Sequence, residues 1–358
     1  MENVKIKDFR ELAGITQEDL GQFIGVRRQT IAAWETGETI PGTLQLFKIA
    51  EYLNVPVALL LGEQPAQETG LLFRADDPSL LTPEIRALLT RKATDYAHLE
   101  HLLSEVPALP EARPLDEDDE YVVMETASTI RDWLGVGDTS PLRDLFALME
   151  NKGLKVIRYP LPDVISGFSA YTEEFGALIV VNTTHPTERQ LLTALHELAH
   201  LIFHRREYVA GKAIKTKYRD PREKSANRLA VAVMLPDKVL RSELHAFENR
   251  WIPEPLLRDM KQRYYVSMQT ILVRAAQSGL ITDKQAGAQI GYIKKHKLDE
   301  TFALPPLLIT LDRLKRLTFT ALINEEITAS RAAEILETPL TEIREELSRW
   351  TGGGACAA

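Results

Sequence analysis

Apolar residues recur at the three- and four-residue spacing of helices through the first 62 positions of the chain. Short polar or glycine-bearing turns separate these segments. Thr16 is placed to cap one helix, Gly25 stands where a left-handed residue would end it, and the next helix opens at Arg27. The pattern predicts a small all-helical domain that contains a helix-turn-helix. Its apolar positions include Phe9, Leu12, Leu20, Phe23, Ile24, Ile31, Trp34, Leu44, Phe47, Ala50 and Leu53.

The pattern becomes mixed further along. Alternating apolar residues at 154–159 and an apolar run at 177–182 predict two strands, and helical spacing returns at 191–202 and again at 220–235. We therefore predict an α+β fold that is mostly helical and has a small sheet in its central part. The expected divisions are a helix-turn-helix domain at 1–64, a linker and connecting helix at 65–119, a central domain at 120–290, a C-terminal helical domain at 291–351 and a disordered tail at 352–358.

One central helix carries the pattern HExxH, as His196, Glu197 and His200. Two histidines four residues apart share one face of a helix, and the glutamate beside them can reach a water that a metal activates. A mononuclear hydrolytic zinc site needs a third protein ligand, for which Glu223 on the inward face of the next helix is the candidate. The alternatives are two histidines bonded to backbone in a core helix, and a first-turn carboxylate that complements the helix dipole.

Composition narrows the class of protein. The chain has 358 residues, 44% of them hydrophobic, which is enough for two or three domains with cores of their own. The single cysteine, Cys356, excludes a disulfide framework and a thiolate metal site. The start resembles no secretory signal and no run approaches 18 apolar residues, so we expect a cytoplasmic protein without a membrane partner. A net charge of −8 argues against nonspecific coating of nucleic acid.

Specific reading of DNA stays possible through the second helix of the helix-turn-helix. Arg28 and Gln29 are side-chain types that bond guanine and adenine edges, with Thr30 next to them, and Gln17 and Arg27 could hold phosphates. Residues 1–64 contain six basic and nine acidic residues, a net of −3, which disfavours tight binding by a monomer. The alternative is a module for docking to protein or for dimerisation.

The N-terminal stretch contains Gly14-Ile-Thr-Gln-Glu-Asp-Leu20, Ile24-Gly-Val26, Thr30-Ile31, Trp34-Glu35, Gly37 and Pro41. In these positions it resembles the XRE/Cro-type helix-turn-helix family. The resemblance implies a five-helix DNA-binding domain that binds an operator, most often as a dimer.

Residues 120–290 resemble the ImmA/IrrE-type metallopeptidases. The matching positions are Val180-Val-Asn182, Pro186, Arg189, the core from Leu195 to Leu201, and Glu223-Lys-Ser-Ala-Asn227 running to Met234-Leu-Pro236. The resemblance implies a zincin-like domain of the gluzincin kind, with His196, His200 and Glu223 as metal ligands and Glu197 as the catalytic base. The metal would be zinc, with manganese possible, because histidine and glutamate suit both.

Other positions give weaker signals. A strand that precedes an HExxH helix commonly offers its edge to an extended peptide, so Ile179, Val180, Val181 and Asn182 are candidates for a substrate groove; the alternative is core sheet. His185, His204, Tyr208 and Tyr218 could each stabilise an oxyanion, and none is favoured. Residues 257–280 show no chemistry, and 304–350 contain a second stretch similar to a helix-turn-helix, which more often serves as a dimerisation or lid element.

Two functions remain open. The first is a regulatory metalloendopeptidase that cuts a repressor of helix-turn-helix type and releases stress-response or mobile-element genes, directed to DNA or to its substrate by its own helix-turn-helix. The second is a non-proteolytic transcriptional regulator or antitoxin whose peptidase-like domain senses a metal, a ligand or a partner. A homodimer is possible in either case.

Overall fold

The computed structural model describes residues 6–7, 10, 15–53, 82–105, 107–115, 117–172, 175–208, 220–307 and 313–351. The predicted tail at 352–358 lies outside these residues, as does the stretch from 65 to 81 of the predicted linker. The chain divides into two compact units, Met1–Gly70 and Leu71–Ala358. Among the described residues, every helix is too short or too polar to cross a bilayer.

The first unit contains the predicted helix-turn-helix. Helix α1 spans Gln17–Ile24, α2 spans Arg28–Thr36 and α3 spans Thr43–Leu53. Thr16 caps α1 in a capping box with Asp19. Gly25 ends the helix at φ +83°, a backbone conformation that residues other than glycine rarely adopt. Leu20 and Ile31 are fully buried between the helices. The prediction of five helices extends over positions outside the described residues.

Within the described residues of the second unit, three strands form one sheet in the order β1-β3-β2. They are β1 (Lys155–Tyr159), β2 (Gly167–Thr172) and β3 (Gly176–Asn182); β1 runs parallel to β3, and β2 antiparallel to it. The apolar runs predicted β1 and β3, whereas β2 was missed because its sequence GFSAYT contains no sustained apolar run.

The position of β3 overturns the predicted substrate groove. Ile179, Val180, Val181 and Asn182 lie in the central strand, where the backbone pairs with β1 on one side and with β2 on the other. A strand paired on both sides has no free edge to which a peptide could add. The alternative, core sheet, is therefore the correct interpretation of these four residues.

Both faces of the sheet are covered by helices. On one face Ile179 and Val181 pack into the large core that contains α5 (Glu120–Leu134), α6 (Leu145–Asn151), α7 (Thr187–Phe203) and α8 (Pro221–Met234). On the other face Leu178 and Val180 pack with Leu89 of α4 (Pro83–Leu102). The strand is apolar on both sides for this reason, and it reads as a continuous apolar run instead of an alternating one.

Helices α9 (Asp237–Leu244), α10 (Glu254–Tyr264), α11 (Met268–Gln277), α12 (Asp283–Lys295) and the short α13 (Leu298–Thr301) follow α8. The C-terminal helices α14 (Arg313–Ile323), α15 (Ala329–Leu336) and α16 (Leu340–Trp350) complete the described chain. Leu317 of α14 packs against Tyr96 of α4, and Arg313 forms an ion pair with Glu100. The mostly helical α+β fold is thus confirmed, while the predicted divisions near 120 and 290 stay predictions.

Asn182, assigned to a substrate groove by its sequence, instead fastens the loop between β1 and β2. Its side chain is fully buried; Nδ2 donates to the carbonyl oxygens of Leu161, Pro162 and Ile165, and Oδ1 accepts from the backbone of Leu161 and Thr184.

We expect Asn182→Ala to lower the free energy of unfolding by about 2–3 kcal/mol, because it leaves buried backbone groups without partners. Urea unfolding followed by circular dichroism measures the change. The control is Asn324→Ala, at an exposed position that follows α14. Equal stability of the two variants would contradict this role of Asn182.

Candidate metal centre

Two packed helices bring the three predicted metal ligands together. His196 and His200 lie one turn apart on α7, and Glu223 lies in the first turn of α8, whose N-cap is Asp220. The His196 Nε2 and His200 Nε2 atoms are 2.9 Å apart. The Glu223 carboxylate lies 3.1 Å from His196 Nε2 and 3.3 Å from His200 Nε2. All three donor atoms fit within 4.8 Å of one another.

Hydrogen bonds behind His200 fix its tautomer. His204 Nε2 lies 3.1 Å from the carbonyl oxygen of Leu115, and because a carbonyl only accepts, Nε2 carries the proton. Neutral His204 then offers Nδ1 as an acceptor, 2.9 Å from His200 Nδ1, which must donate to it. This leaves the lone pair of His200 at Nε2, the atom that faces His196 and Glu223.

His196 is oriented in the same way by a neighbour on α8. Its Nδ1 lies 3.0 Å from Asn227 Oδ1, which accepts the ring proton and leaves the Nε2 lone pair directed at the other two ligands. A metal-ligating histidine commonly has such a partner at its second nitrogen. Asn227 stands four residues after Glu223, so one face of α8 supplies both a ligand and the group that orients another.

The charges of the three ligands are coupled. Burial disfavours the imidazolium form of His196, but in that form its Nε2–H donates to Glu223, and this bond together with the charges of Glu197 and Glu223 outweighs burial, so the pKa of His196 is raised. Despite its burial, Glu223 has a pKa well below its usual range, because the protonated forms of His196 and His200 donate to it and carry positive charge. A metal requires unprotonated imidazole, so protons compete with it and affinity falls as the pH drops below the raised pKa of His196.

Glu197 faces a hydroxyl pair that the sequence did not reveal. Ser169 of β2, fully buried, lies with its Oγ 2.5 Å from Glu197 Oε2 and 2.7 Å from the Tyr208 hydroxyl. An ionised carboxylate only accepts, so Ser169 donates to Glu197 and accepts from Tyr208. Gly167 allows β2 to approach α7 this closely, because a Cβ there would lie 2.6 Å from Cγ2 of Thr193.

The donor set fits a zinc ion. With Zn–N distances of about 2.0–2.1 Å, a tetrahedral site places neighbouring ligand atoms roughly 3.3 Å apart. The separations here, 2.9, 3.1 and 3.3 Å, are close to that value. Two neutral imidazoles and one carboxylate form the set of three protein ligands that hydrolytic zinc sites use. Glu223 keeps 23% of its side chain exposed, which leaves this side of the cluster accessible.

The predicted DNA-reading residues gather at the start of α2. Arg27, Arg28 and Gln29 are exposed and line an open depression of about 560 Å³, and Thr30 is half-buried. Gln17 is tied to the domain: its Nε2 donates to Glu35 at 2.8 Å, and its Oε1 accepts from Arg28 Nε at 3.4 Å. These contacts hold Gln17 and Arg28 side by side at the end of α2 that would enter a groove.

Comparisons with known proteins agree with both halves of this description. A family model described as IrrE N-terminal-like domain, of the M78 peptidases, matches residues 149–276, and a helix-turn-helix family model matches residues 6–60. An uncharacterized HTH-type transcriptional regulator of Methanocaldococcus jannaschii is 45% identical over 53 residues, which cover 15% of this chain and 80% of the relative. This chain joins an XRE-type helix-turn-helix domain to an IrrE-like domain.

A further relative and a solved structure also match this chain. The HTH-type transcriptional regulator YgzD of Bacillus subtilis is 45% identical over 51 residues, 14% of this chain and 77% of its own. A solved transcriptional regulator of Mycobacterium tuberculosis aligns over 51% of each chain, with 16% identity and a TM-score of 0.32, so this chain spans about half of that structure.

A cleft of about 790 Å³ reaches Glu223, one of the three candidate ligands. Its lining includes Glu223, Asn227 and Val231 of α8, Leu192 of α7 and Thr270 of α11. Helix α11 belongs to the stretch 257–280, in which the sequence showed no chemistry. The structure gives that stretch a role, because it forms a wall of the cleft.

The four residues considered as oxyanion partners have different surroundings in the structure. His185 is buried and bonds the carbonyl oxygen of Asp163, and His204 stands behind His200. Tyr208 reaches Ser169, and Tyr218 lies outside the described residues. His204 and Tyr208 therefore take part in the outer contacts of the centre, although neither was favoured from the sequence. Asn227 could have been found from the sequence, because it lies four residues after Glu223 and therefore on the same face of α8. Ser169 has no such signal in the sequence.

We expect Asn227→Ala to weaken Zn²⁺ binding by roughly 10–100-fold, because His196 loses the partner that sets its tautomer and ring orientation. Competition with a chromophoric chelator at pH 7.5 measures the affinity. The control is Asn151→Ala, at an exposed asparagine that ends α6. An affinity equal to that of the wild type would show that Asn227 does not orient this ligand.

Proposed function

We propose that this protein is a zinc-dependent endopeptidase that cleaves a repressor of helix-turn-helix type and so releases the stress-response or mobile-element genes under its control. The observation that supports it is the convergence of His196, His200 and Glu223 within 4.8 Å, beside Glu197 and an open cleft. The helix-turn-helix domain favours regulated cleavage over general digestion, since it can direct the peptidase to DNA or to a partner.

His196, His200 and Glu223 would hold the ion, for which manganese is a second candidate. Zinc supplies Lewis acidity there, which polarises a scissile carbonyl and brings the pKa of a water toward about 7. Glu197 takes the proton of the attacking water and passes it to the leaving amine. The hydrogen bond from Ser169 fixes Oε2 of Glu197 in place.

The domain organisation proposed with this function keeps the boundaries at 64, 119, 290 and 351. The connecting helix and the C-terminal helices would then support the peptidase fold, because α4 covers one face of the sheet and α14 packs on α4. This support leaves the cleft beside α7 and α8 as the place for substrate.

The test combines purified protein, Zn²⁺ and XRE-type repressors encoded next to its gene. We expect a single cut in one of them, mapped by mass spectrometry, and a rate lower by about 10²–10⁴-fold for Glu197→Gln, which removes the proton acceptor but keeps the three ligands. Glu326→Gln, at an exposed glutamate, is the matched control. Absence of any cut by the wild type, or cleavage that survives Glu197→Gln, would sink the proposal.

A second candidate function is specific DNA binding by the helix-turn-helix, whether or not proteolysis accompanies it. The exposed guanidinium groups of Arg27 and Arg28 beside Gln29 favour it. In this case the IrrE-like domain would sense a metal, a ligand or a partner, and an operator would be bound most often by a dimer.

We expect Arg28→Ala/Gln29→Ala to reduce binding to the promoter of its own gene by at least about tenfold, because each well-placed base contact contributes about 1–3 kcal/mol. Gel shifts at a fixed salt concentration measure it, with Gln22→Ala on α1 as the matched control at an exposed glutamine. Equal affinity of the double variant and the control would argue that this surface docks protein instead.

A further inference from the structure

Three residues of α7 form a stripe that leads away from the metal centre. Glu188, Leu192 and His196 are spaced four residues apart, so they follow one another along one face of the helix. At 1.5 Å of rise per residue, Glu188 stands about 12 Å from His196 along the helix axis. An extended peptide covers that distance with about three to four residues.

A second cavity, of about 440 Å³, continues the cleft along this stripe. Leu192, Ser267, Gln269 and Thr270 line both spaces. Beyond them the second cavity is bounded by Glu188 and Arg189 of α7 and by Asp299 and Glu300 of α13. A substrate that lies across the metal centre and follows α7 toward its start therefore enters this cavity.

Glu188 is the chemically unusual group in the wall. It is 8% exposed, and its Oε1 accepts from Lys261 Nζ at 2.5 Å. Its Oε2 is buried with no hydrogen-bond donor among the described residues. A buried carboxylate oxygen without a partner is unfavourable, and it gains free energy when a ligand brings an N–H donor to it.

The charges around this oxygen favour a cation. Three carboxylates, those of Glu188, Asp299 and Glu300, face two basic groups. Lys261 is fully buried and bonded to both Glu188 and Asp299, and the guanidinium of Arg189 donates to Ser166. Glu300 is exposed and without an ion pair among the described residues. The wall thus carries a net negative charge.

We infer that this second cavity, named here the acidic subsite, binds a lysine or arginine side chain of the substrate, three to four residues from the scissile bond. The inference rests on the proposed endopeptidase function and adds a sequence requirement to it. Glu188 and Glu300 supply the carboxylates that attract the basic group of the substrate. Leu192, which lies between His196 and Glu188 on α7, would contact the aliphatic part of that lysine or arginine side chain.

The test uses the full-length protein with Zn²⁺ and the repressor whose cut has been mapped. A lysine or arginine three or four residues from the cut is replaced by glutamine, and we expect kcat/KM to fall about tenfold with the wild-type enzyme. With Glu300→Gln, or with Glu188→Gln, the same substrate change should have less than about a threefold effect, because one of the two partner charges is already gone. Glu300 is exposed, so its variant keeps the fold even if Glu188→Gln, which deprives buried Lys261 of a partner, does not.

Glu248→Gln, an exposed glutamate outside the cleft, is the matched control and should retain the full tenfold effect. A repressor that is cut with no basic residue at those positions overturns the acidic subsite and leaves the endopeptidase intact. The same holds if Glu300→Gln and Glu188→Gln enzymes respond to the substrate change as the wild type does. If the wild type cuts no repressor, the proposed function fails and the subsite fails with it.

Discussion

The packing of α7 against α8 is the contact on which the candidate site depends. His196 and His200 come from one helix and Glu223 from the other, so no ligand set exists unless the two axes lie close together. Ala199 on α7 and Ala226 on α8 are fully buried, and side chains of this size permit a close approach.

A second layer of contacts turns this proximity into an oriented donor set. The ring of His196 is held by Asn227 on α8, and that of His200 by His204, which is held in turn by the carbonyl oxygen of Leu115. In each neutral ring the Nδ1 proton is donated to this neighbour, and the lone pair is left on Nε2, which faces the other candidate ligands. The ligand geometry therefore depends on a segment more than 80 residues before the motif, which ties the connecting region to the chemistry of the centre.

The parts of the site that sequence could predict are those fixed by the spacing of residues within a helix. HExxH with helical spacing placed His196, Glu197 and His200 on α7, and the capped helix after it placed Glu223 facing them. Ser169 could not be found in this way, because its approach to Glu197 depends on the pairing of β2 with β3 and on the absence of a side chain at Gly167. Strand order is a long-range property, and the same gap explains why β3 was mistaken for an edge.

The continuous apolar run of β3 contains a signal about the position of the strand that the groove interpretation did not use. A strand with one free edge on a half-exposed sheet alternates apolar and polar residues, whereas a strand buried on both faces does not. Residues 177–181 are apolar without interruption, so their composition already favoured a central position covered by helices on each side. Because helices cover both faces of the sheet, the cleft lined by α7, α8 and α11 is the route to the candidate metal centre within the described part of the chain. Part of its wall, from Ser267 to Glu300, comes from helices without any motif, while Glu188 and Leu192 come from the HExxH helix itself. Under the proposed function, substrate selection would therefore be encoded only partly by the helix that carries the candidate ligands.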